Sequence, residues 1–126
     1  MILDEDKVAF DWVGTLVAND GNQFLTYEMI EVLHRELPNF TSQLDKAYTK
    51  NDREGLIYQL DLIRESSMYC PMPKLVNHID SILDHLDKDE YWPNDGAIKT
   101  CNSLLGEVKV EVDGILQKRA RSVGVA

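Results

Sequence analysis

The segment that decides the fold runs Leu56-Ile57-Tyr58-Gln59-Leu60-Asp61-Leu62-Ile63-Arg64-Glu65-Ser66-Ser67-Met68-Tyr69-Cys70-Pro71-Met72-Pro73-Lys74-Leu75. Leu56, Leu60, Ile63 and Ser67 recur at helical spacing, so they form one inner stripe. Asp52 is a good N-cap, and the spacing predicts a helix over 53–69. Pro73 suits the first turn of a following helix over 73–88, with Leu75, Ile79, Ile82 and Leu86 on its inner side. On a helical wheel of about 100° per residue, Asp61 and Glu65 fall opposite the inner stripe, facing solvent.

Outward from this segment the same periodicity continues. Upstream, Ile30, Leu33, Leu37, Phe40, Leu44 and Ala47 step 3-4-3-4-3 across 22–49. The stripe passes Pro38 without losing phase, which fits one kinked helix or two helices nearly in line. Downstream, Ile98, Cys101, Leu105, Val108, Val112 and Ile115 repeat that spacing in a helix over 97–120. Residues 5–17 predict a short first helix carrying Val8, Phe10, Trp12, Val13 and Leu16, weakened by Gly14. Breaks fall at Asn19-Asp20-Gly21, Lys50-Asn51-Asp52, Cys70 to Pro73 and Glu90 to Gly96. No segment alternates at period two, so no sheet is expected. Four amphipathic helices with short loops predict an all-α, up-and-down four-helix bundle with a short extra N-terminal helix. The 126 residues suit one domain over 1–126.

Bulk properties narrow the function. The formal net charge is -9, the opposite of what phosphate-rich nucleic acid or an anionic membrane surface would attract. Proteins or cations are the expected partners. The start, MILDEDKVAF, has no signal-peptide hydrophobic stretch, and no apolar run approaches the ~20 residues of a membrane span. The expected location is the cytoplasm. Cys70 and Cys101 form no CxxC pair and sit in apolar-periodic segments, so they read as buried free thiols.

Chemistry finds little support. No Gly-rich phosphate loop, HExxH, GxSxG or EF-hand pattern is present. His78 and His85 lie on one side of a helix, but an i,i+7 pair is about 10 Å apart along the axis, too far to share one ion at ~2 Å ligand distances. The Glu31-x-x-His34 pair stands alone, whereas a di-iron bundle needs two such motifs. His34 reads as a partly buried boundary residue. No metal, cofactor or enzymatic activity is expected.

The segment 56–75 resembles the histidine-containing phosphotransfer (HPt) domain, in particular the C-terminal HPt module of BarA/GacS-type hybrid sensor kinases. Arg64 fits that family's basic position, Ser66 and Ser67 its pair of small residues, Tyr69 its aromatic, and Pro73-Lys74-Leu75 the start of its next helix. Upstream, HRELPNFTSQLDKAYTKND resembles the family's long second helix and the turn before the motif helix. The resemblance covers about residues 8–88. It departs at two positions: Asp61 stands where the family has its phospho-accepting histidine, and Glu65 where it has a glycine. The resemblance therefore implies a degenerate HPt-like protein that carries no phosphoryl group and binds a response-regulator receiver domain or a histidine kinase. Tyr58, Arg64, Glu65 and Met68 would form its altered docking face around Asp61. An active phosphotransfer protein using another residue, and an unrelated helical interaction or oligomerisation module, are the alternatives.

Overall fold

The computed structural model describes residues 8–88 and 92–122. These form five helices: α1 (Trp12–Ala18), α2 (Gln23–Thr49), α3 (Arg53–Ser66), α4 (Pro73–Leu86) and α5 (Asp95–Ser122). No strand occurs among the described residues. The four longer helices pack in a ring, α2 on α3, α3 on α4, α4 on α5 and α5 back on α2, and α1 lies against α2. This is the expected up-and-down bundle with its extra N-terminal helix.

Most of the helices start where the sequence supplies an acceptor for orphan backbone N–H groups. Asp11 accepts from the Gly14 amide at 2.8 Å, Asn22 from Leu25 at 3.0 Å, and Asp52 from Gly55 at 3.0 Å. Asn94 caps α5 by accepting from Ala97 at 2.9 Å. α4 has Pro73 in its first turn and no side-chain cap. The turns before α2 and α3 hold Asp20 and Asn51 in the left-handed region, at φ 57° and 53°, with Gly21 at 73°. Asp and Asn are the non-glycine residues that tolerate this region best.

α2 is one continuous helix through Pro38, which settles the choice left open by the sequence. Its buried residues include the whole predicted stripe, Ile30, Leu33, Leu37, Phe40, Leu44 and Ala47. Leu56, Leu60 and Ile63 of α3 are fully enclosed, as are Leu75, Ile79 and Leu86 of α4. α5 buries Ile98, Cys101, Leu105, Val108 and Val112, and also Leu104, while Ile115 is only partly covered.

Several boundaries differ from the sequence reading. α1 starts at Trp12, and the part of the predicted helix over residues 5–7 lies outside the described residues. Val8 to Asp11 is not helical, because its backbone is spoken for elsewhere. The Asp11 amide donates to the Pro71 carbonyl (3.0 Å), and the Val8 carbonyl accepts from Lys74 (3.1 Å) in the uncapped first turn of α4. Phe10 is buried from this strap, whereas Val13, part of the apolar content of the predicted helix, is 66% exposed. α3 ends at Ser66 and not at 69, because Met68, Tyr69 and Cys70 turn back onto the carbonyls of Glu65 and Ser66. Ser67 thus leaves the inner stripe and becomes the C-cap, its hydroxyl accepting from the Met72 amide at 2.9 Å. α5 is longer than predicted at both ends.

His34 ties α2 to α5 through Asp113, with Nε2 at 2.6 Å from Oδ1, and Lys109 holds the other carboxylate oxygen at 2.8 Å. Its half-exposed ring matches the boundary role read from the sequence. The Lys109 and then the His34 hydrogen bonds hold the Asp113 carboxyl below the usual carboxylate range. Cys70 and Cys101 are buried and unpaired. Burial pushes their thiols up to about 11 and about 12 respectively.

Leu60→Ala is expected to lower unfolding stability by about 2–5 kcal/mol, and Asp52→Ala by about 1 kcal/mol, both read from urea titrations. At pH 8 the native protein should react with a thiol reagent far more slowly than the unfolded chain. The two thiols have folded pKa values above the unfolded value, so their stabilisation is complete below about pH 8.5 and is lost as pH rises through about 11 and 12. Replacing both by alanine should flatten that alkaline decline. For Asp113 the sign is opposite: its contribution is present above the ordinary carboxylate pKa and disappears as pH falls. Lys109→Met should raise the Asp113 midpoint in an NMR titration.

Candidate functional site

The outer face of α3 follows from its inner one. With Leu56, Leu60 and Ile63 enclosed, positions 58, 61 and 65 must turn outward. Tyr58 is 61% exposed, Glu65 is exposed, and the Asp61 side chain is half-exposed. Asp61, Arg64, Glu65 and Met68 border one open depression on this face. Tyr58 lies one turn before Asp61 on the same side of the helix and is not part of the depression's lining. Met68 belongs to the turn after α3, where it is 71% exposed.

Arg64 is the feature that the sequence did not resolve. Its guanidinium reaches Asp61 on its own helix, Nη2 to Oδ1 at 3.4 Å, and Asp80 on α4, Nη1 to Oδ1 at 3.1 Å. The i,i+3 contact with Asp61 was available from spacing. The contact with Asp80 is set by how α4 packs on α3, and no sequence pattern marks it. All three side chains are about half exposed, so the pairs contribute only about 0–1 kcal/mol each. Their effect is on the charge that the surface presents, because the cation is turned sideways against two carboxylates and Glu65 is left outward.

The small pair Ser66-Ser67 also has a local reason. Ser66 lines a narrow groove against α2, and Ser67 caps the helix. Both positions belong to the turn that brings Cys70 into the core, since the Cys70 amide donates to the Ser66 carbonyl at 3.1 Å.

The histidines stand elsewhere. His34 is bound to α5 through Asp113, His78 points its Nε2 at the Ala97 carbonyl (2.9 Å), and His85 contacts the Ser81 carbonyl of its own helix (2.7 Å). None lies on α3. Among the described residues, no three His, Cys, Asp or Glu side chains are grouped to hold a metal ion. The outward face of α3 thus presents a half-exposed carboxylate paired to an arginine.

No protein-family model and no curated protein sequence matches the chain. Among solved structures it is similar to the HPT domain of a sensor hybrid histidine kinase from Shewanella, with a TM-score of 0.77 and 20% sequence identity. The match covers 91% of this chain and 97% of that one. No helix among the described residues is long and apolar enough to cross a membrane. The chain therefore has the helical-bundle fold of an HPt domain.

Proposed function

We propose that this protein is a phosphorelay-related binding module that does not itself carry a phosphoryl group. Asp61 occupies the phospho-acceptor position of the HPt fold, and Glu65 occupies the position that the family keeps as glycine. One observation carries the reading: in an HPt fold, the outward face of α3 presents Asp61 and Glu65, with Arg64 held by Asp61 and Asp80. A histidine ring nitrogen can accept a phosphoryl group. A carboxylate does so in receiver domains only with a metal ion and a basic residue, and the cation beside Asp61 is already shared between two carboxylates. Asp61 and Glu65 are like charges at i,i+4, and with Tyr58 and Met68 they form a docking face. The partner is a receiver domain or a histidine kinase, met in the cytoplasm.

A phosphorylated receiver domain tests this directly. The wild type should remain unlabelled, whereas Asp61→His/Glu65→Gly should gain phosphate on the introduced imidazole, with acid-labile, base-stable character. Labelling of the wild type would show that it is an active phosphotransfer protein. Failure of every variant to bind or accept phosphate from a panel of receivers would move the protein out of phosphorelay signalling. Arg64→Ala should change unfolding stability by less than about 1 kcal/mol while altering receiver or kinase binding, as measured by calorimetry.

A further inference from the structure

The turn that ends α3 also walls a groove. On α2, Leu25, Met29, Val32 and Glu36 follow one another at helical spacing, along a row one residue out of step with the buried stripe and flanking it. Met29 and Val32 meet Tyr69 and Cys70 there, enclosing about 90 Å³ between α2 and the end of α3. The floor is apolar, and the residues around it stay exposed: Val32 by 39%, Tyr69 by 56% and the adjoining Met68 by 71%. Tyr69 is fixed from behind, since the Asn19 side-chain amide donates to its carbonyl at 3.2 Å. The groove is thus part of a tied junction between α1, α2 and α3.

Its charge has one sign. Glu36 is the charged residue among those that line it. Arg35 sits roughly 90° round α2 from this row. Across the crest of α3, the neighbouring depression adds Asp61 and Glu65, and its arginine is tied to Asp61 and Asp80. An apolar floor with carboxylates on both flanks discriminates by charge: it attracts cations and opposes an acidic surface.

We propose that this groove binds a cationic, apolar segment of a partner protein, with aliphatic side chains against Met29, Val32 and Tyr69 and lysines or arginines reaching Glu36 and Glu65. The inference rests on the reading of the outer face of α3 as a docking surface and assigns the chemistry of what docks. A partner whose contact surface is acidic, such as the mouth of a receiver's phosphorylation pocket, is opposed here unless basic residues surround it.

The test uses the full chain, isotopically labelled, titrated with three synthetic peptides: an amphipathic leucine–lysine peptide, its leucine–glutamate counterpart, and oligolysine. The leucine–lysine peptide should bind saturably and shift the amide signals of Met29, Val32, Glu36, Glu65 and Tyr69. The other two should not saturate. Glu36→Lys/Glu65→Lys should weaken binding by about tenfold or more, as should Val32→Asp, with Tyr69→Ser as the alternative should Val32→Asp fail to fold. Glu111→Lys, on the exposed side of α5, serves as the charge control and should leave binding within about twofold. Equal binding of the glutamate peptide, equal weakening by Glu111→Lys, or shifts mapping elsewhere would overturn the proposal. A receiver panel titrated in parallel separates the two readings. Receiver binding without peptide selectivity defeats only the groove, and peptide selectivity without any receiver binding defeats only the phosphorelay role.

Discussion

Burial of Leu56, Leu60 and Ile63 fixes the rotation of α3, and the placement of every side chain on its outer face depends on that rotation. A helix has one angle at which three enclosed side chains can all face the core. Once it is chosen, Tyr58, Asp61 and Glu65 have nowhere to go but outward, and Arg64 lands on the flank nearest α4. The site is a by-product of packing on the opposite side of the same helix.

The turn after α3 is the second constraint. Cys70 and Met72 are drawn into the core, Pro71 and Pro73 exclude a continuing helix, and the α4 start is left without a side-chain cap. The chain resolves this with a distant segment. The Val8 carbonyl accepts from Lys74, and the Asp11 amide donates to Pro71, so the N-terminal strap completes the hydrogen bonding of a loop far along the chain. Met68 and Tyr69 are forced outward by this arrangement. Exposed apolar surface therefore appears beside Asp61 and Glu65, and beside the groove on α2.

Charge gives the face its character. The acidic excess of the chain is general, yet at α3 it is organised: one cation lies between Asp61 and Asp80, and Glu65 stands clear of it. Weak surface ion pairs contribute little stability, so the arrangement acts mainly on the charge that the face presents. The bundle that presents this face is the fold shared with the Shewanella domain.

The sequence by itself determined the all-helical class, most of the inner stripe of each long segment, the outward direction of Asp61 and Glu65, and the buried state of both cysteines. Helical periodicity is a local property, and each stripe repeats often enough to declare its face. Only the tertiary structure decided that Val8 to Asp11 forms a strap, that α3 stops at Ser66, that α2 passes unbroken through Pro38, and that Arg64 meets Asp80. The strap depends on the Pro71 carbonyl and the Lys74 amide, the Arg64 contact on the approach of α4, and the end of α3 on the turn in which Met68, Tyr69 and Cys70 bond back to Glu65 and Ser66. Such hydrogen bonds and contacts leave no periodic trace in the sequence, because they exist only once the helices have docked.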